Sequence, residues 1–344
     1  MGDVRDRLAG AAFELIWASQ LPRLMRARSR ARGIIFAMSR VLPDEPADFA
    51  PNAYLAIKPE VLDYTIDRVR QLGFDIVDMD EAARRMEGER AIKPFVVLTF
   101  DGAFRDNLRY ALPVLRRHRA PFTLYVPTAL VDGVGELWQQ VLEDIVSGQN
   151  ALAVTHGGET EYFPTARLGE KQRAYAVLLK RLRALPEAER VALIRDLAAQ
   201  YGLDVAAHCR EMVMDWHELR HFADESLCTI GAGTVHGYEL AKLGPADARS
   251  EIEQSVRVLK AQFGATPRHI SYPVGDARAV GPRDYSLARD LGLRTGVTAM
   301  PGGLSAADRF RLHALPRVRL GGVLQSRRHV DVFAAPGLFS LGRK

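Results

Sequence analysis

The sequence predicts an α/β fold built on a parallel sheet. Three observations carry this. Short apolar runs alternate with helix-patterned segments between residues 34 and 127. A helix-rich stretch, 129–215, interrupts that rhythm, and the alternation returns between 227 and 320. Alternating strands and helices favour parallel strands joined by crossover helices. With 344 residues, 47% hydrophobic and 26% charged, the chain can bury a substantial core and carries no charge excess that would keep it unfolded.

Taken in order, residues 3–18 read as an amphipathic helix with Val4, Leu8, Ala11, Leu15 and Ile16 on one face. "IIFAM" (34–38) is a short apolar strand, and Pro43, Pro46 and Pro51 mark the loop after it. Residues 59–73 form a helix with Pro59 at its start and Gly73 as its stop. "FDIVD" (74–78), "FVVLTF" (95–100) and "FTLYVP" (122–127) read as strands. Between the last two, 107–119 is helical, with Pro113 starting or kinking it.

The stretch 129–215 reads as a helical insertion without Ser/Gly linkers. Its helices are expected at 137–146, 170–184 and 187–200, around an irregular section near Gly148, Gly157 and Gly158. Beyond it come a strand at 227–235 and a helix at 246–263 carrying Ala248, Ile252, Val256, Leu259 and Phe263. Strands at 269–275, 294–300 and 312–320, with a helix at 285–293, complete the domain. The organisation expected is a basic N-terminal helix and arm (1–32), a single domain (33–330) and a C-terminal tail (331–344).

Bulk properties narrow the function classes. The two cysteines, Cys209 and Cys228, form neither a CxxC pair nor a disulfide framework, so a reducing, cytoplasmic setting is expected. No run of about 18 apolar residues predicts a membrane span. The net charge of +5 is concentrated locally in Arg23, Arg26, Arg28, Arg30 and Arg32. That cluster reads as a solvated turn or as a contact with anionic lipid, nucleic acid or an acidic partner, the lipid contact being a peripheral one at a membrane surface. No aromatic residue interleaves with it, which argues against a nucleic-acid stacking platform.

The chemistry centres on "LTFDGAFRDN" (98–107). Asp101 closes an apolar strand, at the end where α/β folds place their sites. A lone carboxylate there is a general base, a metal ligand, or a turn residue that caps or pairs with Arg105. His217 and His221 stand four apart in "DWHELRHF", but Glu218 between them does not complete H-E-x-x-H, so a solvated helix face is the expected reading.

Three blocks in order, "FVVLTFDGAFRDNLRYALPVLRRHRAPFTLYVPT", "IGAGTVHGYELAKL" and "RHISYPVGD", resemble the polysaccharide deacetylase family, carbohydrate esterase family four, which includes chitooligosaccharide deacetylases. The resemblance runs from about Gly33 to about Leu320. It implies a distorted (β/α) barrel with fewer than eight strands, its site at the strands' C-terminal ends. It also implies a divalent metal, usually zinc, held by one Asp and two His beside an Asp base.

Here the sequence departs from that pattern. The first block usually reads T-F-D-D-G, and this chain has Thr99-Phe100-Asp101-Gly102-Ala103: the base position survives as Asp101 and the ligand position is Gly102. The second usually reads H-[S/T]-x-x-H, and this chain has Gly233-Thr234-Val235-His236-Gly237. All three metal-ligand positions are therefore glycine, so no metal cofactor is expected. The resemblance further assigns Tyr272 and Asp276 to sugar contacts and places His313 near the family's histidine acid. His236 is either a substitute polar group toward the sugar or a hydrogen-bonded loop histidine.

Three functions remain open at this level. One is a carbohydrate-binding protein on a deacetylase scaffold that has lost metal-dependent hydrolysis. A second is a carbohydrate N- or O-deacetylase with a rearranged site of Asp101, His236 and His313. The third is an interaction protein that docks through residues 1–32.

Overall fold

The structure, a computed structural model, describes residues 2–28, 31–88 and 93–340. Among them, seven parallel strands close into a barrel: β1 (Gly33–Met38), β2 (Phe95–Asp101), β3 (Phe122–Val126), β4 (Cys228–Ala232), β5 (His269–Ser271), β6 (Thr295–Pro301) and β7 (Leu315–Arg319). Each pairs with its sequence neighbour, and β7 returns to β1 through Phe36↔Val318 and Ala37↔Arg319. The expected strand at 74–78 shrinks to Asp75–Ile76, which pairs only with the start of β2.

The strands are apolar almost throughout because both faces are covered. Ile34, Phe36, Val96, Leu98, Phe100, Phe122 and Leu124 pack outward into the main core under the helices. Their neighbours Ile35, Phe95, Val97, Tyr125, Val297 and Leu315 form a separate cluster within the barrel. This two-residue alternation puts Thr99 and Asp101 on the inner face of β2, above an apolar floor.

Several local readings are corrected. Asn107–Ala111 is a π-turn, with the Leu112 N–H bonded to the Asn107 carbonyl, and the α-helix proper is Leu112–His118. Pro113 lacks the N–H that would continue the ordinary ladder, and the wider turn absorbs the defect. The section expected to be irregular is an antiparallel hairpin, Ala151–His156 with Glu159–Pro164, turning on Gly157 and Gly158. Its alternating Leu152 and Val154 were the period-two signal. Met79–Glu87 and Val205–Met212 are additional helices.

Between β3 and β4, the helices Trp138–Gly148, Leu168–Ala184 and Glu187–Gln200 share an apolar core with the hairpin, centred on Val141, Ile145, Leu152, Tyr175, Leu178 and Ile194. At the other end of the chain, the first helix, Gly2–Ala18, is packed rather than free. Phe13 lies 5.8 Å from the His329 ring and 5.2 Å from Phe333, and Trp17 Nε1 donates to Asp331. The packed side is therefore Phe13 and Trp17, whereas Leu15 is 72% exposed, a rotation from the face the spacing suggested. The contacts of Arg26, Arg28 and Arg30 fall outside the described residues. Arg32 is spoken for: its guanidinium donates to the Arg85 and Met86 carbonyls, at 3.1 Å each, at the end of helix Met79–Glu87. No helix among the described residues is long and apolar enough to cross a membrane.

Candidate functional site

The C-terminal mouth of the barrel is organised by an arginine. Arg317, inward-facing on β7 and 3% exposed, places Nη1 3.0 Å from either carboxylate oxygen of Asp101. It also donates to Thr99 Oγ1 (3.2 Å), Ser271 Oγ (2.9 Å) and the Thr298 carbonyl (2.9 Å). One guanidinium thus ties together β2, β5, β6 and β7. Buried charges persist where they are paired and fully hydrogen-bonded, and Arg317 meets both conditions.

Around this pair lie Tyr125, whose ring centre is 5.9 Å from the guanidinium carbon, and the buried Thr123. Neither the Tyr125 hydroxyl nor Thr123 Oγ1 has a hydrogen-bond partner among the described residues. Burial raises the Tyr125 phenol far above its ordinary pKa, so it stays protonated. Next along the inner face of β7, Arg319 sits over the Tyr54 ring at 5.8 Å. At the end of β1, Arg40 pairs with the buried Asp106 at 2.8 Å and lies over the Phe104 ring.

The three glycines are shaped differently from one another. Gly233 follows β4, and a Cβ there would stand 2.9 Å from the Val126 carbonyl carbon and the Pro127 nitrogen. Backbone would have to move to admit any side chain. Gly102 has φ +102°, and its Cβ direction runs into the Phe104 ring at 2.7 Å. Gly237 has φ +75° and open space around it. Ala103 keeps the left-handed backbone (φ 53°) at the position where the family motif has glycine.

The histidines lie elsewhere. His236 donates from Nδ1 to Glu251 Oε1 (2.6 Å), and its ring stacks on Tyr238 at 4.8 Å. The same Glu251 accepts from the backbone N–H groups of Val235 and His236. The carboxylate beside it, above all, raises the His236 pKa. His313 precedes β7, at the opposite end of the strand from Asp101's level, with Nε2 2.7 Å from the Leu293 carbonyl. The structure therefore does not assemble Asp101, His236 and His313 into one constellation.

Tyr272 is 1% exposed and donates its hydroxyl to the His313 carbonyl at 2.9 Å, packing in the outer core rather than facing the mouth. Asp276 pairs with Arg183 at 2.8 Å and accepts from the Arg278 and Ala279 N–H groups. That contact joins the 129–215 segment to the loop after β5. A buried ionic cluster continues it: Glu187 pairs with Arg190, and Glu239 lies 3.0 Å from Lys242 Nζ.

One expectation changes and another holds. Arg105 does not serve Asp101; it forks onto Glu218 at 2.8 Å and the Arg210 carbonyl. His217 and His221 are exposed on helix Trp216–Ala223, with Glu218 committed to Arg105. Arg317 and Arg319 were missed from sequence. Their signal was "RVR", two arginines two apart in an apolar strand, which puts both on one face.

A family model described as polysaccharide deacetylase matches residues 88–296. Solved structures agree in fold. A deacetylase, PplD, of Streptococcus pyogenes is 17% identical, with TM-score 0.59, over 89% of this chain and 99% of that one. IcaB of Ammonifex degensii is 17% identical, with TM-score 0.53, over 89% and 97%. A de-N-acetylase of Aggregatibacter actinomycetemcomitans is 13% identical, with TM-score 0.53, over 88% and 99%. No curated protein matches the sequence.

Proposed function

Because the chain belongs to the polysaccharide deacetylase family, we propose that it binds acetylated or amino-sugar chains at the barrel mouth without metal-dependent hydrolysis. One observation carries the reading: Asp101, at the family's base position, is held by the Arg317 guanidinium at a mouth whose three metal-ligand positions are glycine. The residues present do not fit a divalent ion. Gly102, Gly233 and Gly237 offer no side-chain donor, Gly233 has no room for one, and a fixed cation already faces Asp101.

The rearranged-site alternative draws no support from the geometry, since His236 is engaged with Glu251 and His313 with the Leu293 carbonyl. Asp101 then lacks both a Lewis acid and a proton partner, and its pairing with Arg317 makes it an anchor for the mouth rather than a base.

The test pairs binding with turnover on the full chain. Calorimetric titration with N-acetylglucosamine oligomers is expected to show binding, while acetate release stays at background in zinc, cobalt or manganese. Chelator-sensitive acetate release that disappears in Asp101→Ala would overturn the proposal.

A further inference from the structure

We propose that the barrel mouth is an anion site, in which Arg319 receives a carboxylate or phosphate-ester oxygen carried by a sugar chain. The sugar part rests on the carbohydrate reading above; the anion part rests on the geometry alone. Arg317 and Arg319 alternate on one strand with a single residue between them, so both guanidiniums face inward and upward. Asp101 is the carboxylate that meets this pair, and Arg317 takes it at 3.0 Å.

Arg319 is left with an aromatic face, Tyr54, and no ion-pair partner among the described residues. Arg40 cannot relieve it, being a third cation at the same end and committed to Asp106. Asp101 is thus met by Arg317 and Asp106 by Arg40, and neither carboxylate is within ion-pair distance of Arg319. A partly buried guanidinium with unused donors is a poor arrangement unless an anion completes it. Burial above all lowers the Arg319 pKa, and the nearby Asp101 acts against it.

A second, independent observation points the same way. The Tyr125 hydroxyl, fully buried beside Arg317, has no hydrogen-bond partner among the described residues. It is a donor facing the same interior, and an anion's oxygen is the acceptor it lacks. Tyr54, 42% exposed, offers an apolar ring at the rim against which a sugar face can lie. An inward arginine with free donors is a fork suited to carboxylate or phosphate oxygens.

The experiment titrates the full chain and its Arg319→Gln and Arg319→Lys variants by calorimetry with four probes. These are an oligogalacturonide, glucosamine 6-phosphate, neutral N-acetylglucosamine oligomers and inorganic phosphate. An acidic saccharide is expected to bind at least about tenfold tighter than the neutral one, the low end of what a charge-assisted hydrogen bond supplies. Arg319→Gln should remove that difference and Arg319→Lys should keep part of it. The uronide and sugar-phosphate arms show which anion the mouth prefers.

Neutral oligomers binding as tightly as acidic ones, unaffected by Arg319→Gln, would overturn the anion site and leave the carbohydrate reading standing. Arg319-dependent binding of inorganic phosphate with no saccharide bound would support the anion site and sink the carbohydrate reading. No binding of any probe would overturn both. Should Arg319→Gln fail to fold, loss of acidic-saccharide binding on addition of inorganic phosphate, with Arg319→Lys as the folded comparison, decides the matter.

Discussion

Arg317 and Asp101 face each other across the mouth of the barrel at 3.0 Å, one on the last strand and one on the second. The pair is asymmetric in burial: Arg317 is 3% exposed and Asp101 27%. Removing the carboxylate strands a buried cation, while removing the arginine leaves a carboxylate that water still reaches. Asp101→Asn is therefore expected to destabilise the fold by about 1–3 kcal/mol, less than for a fully buried pair because solvent screens Asp101. In a double-mutant cycle with Arg317→Met, the two losses should add to more than the double variant shows. Strict additivity in denaturant unfolding would remove the pair from its structural role.

The glycines make a second, graded prediction. Gly233→Ala should cost more stability than Gly237→Ala, because its Cβ would stand 2.9 Å from backbone atoms whereas Gly237 has only its φ of +75° to satisfy. About 1–2 kcal/mol is the expected cost at Gly237 from left-handed strain alone. Gly233→His should lower the melting temperature further and not create a zinc site. Stoichiometric zinc binding by a folded Gly102→Asp, Gly233→His, Gly237→His variant would contradict this.

His236 predicts a pH dependence. Its folded pKa lies above the ordinary 6.5 because the Glu251 carboxylate favours the charged ring. A raised folded pKa means a stabilising contribution that is complete below 6.5 and is lost as pH rises through the folded value. The melting-temperature difference between the native chain and His236→Gln should accordingly be largest in mild acid and shrink toward alkaline pH. A difference that stays constant from mild acid to mild base would exclude the coupling.

The N-terminal helix is expected to be part of the folded unit. Phe13→Ala removes contacts to His329 and Phe333 and should cost about 1–3 kcal/mol, below the value for a full core phenylalanine because Phe13 is partly exposed. An unchanged unfolding midpoint would show instead that residues 2–18 dock only weakly. As a membrane contact, the same region would use Leu15, Leu24 and Arg23, all on its exposed side. Flotation with anionic vesicles that persists in Leu15→Glu/Leu24→Glu would argue against that use.

Much of the barrel was legible because its signals are local. Apolar runs such as Phe95–Leu98 and Phe122–Val126, spaced by helix patterns ended at Gly73 and Gly264, follow from period and capping chemistry alone. The hairpin at 151–164 was overlooked because short alternating strands compete with neighbouring helical patterns. The inward-facing helix side at Phe13 and Trp17 depends on which surface is offered to it, here the C-terminal helix Arg327–Phe333.

The sequence by itself determined the α/β alternation, Asp101 at the end of an apolar strand, and glycine at each of the three positions where a metal site would need a donor. Those are properties of residue type and local spacing. Only the tertiary structure decided what Asp101 does. Its partner is 216 residues away in sequence, and the two meet because closing the barrel sets the last strand against the first and carries Arg317 over the interior. The same closure put His313 at the far end of its strand and turned Tyr272 into the outer core. Spacing along a chain cannot report which strand ends share a mouth, and it is at that mouth that a fixed guanidinium faces the remaining carboxylate.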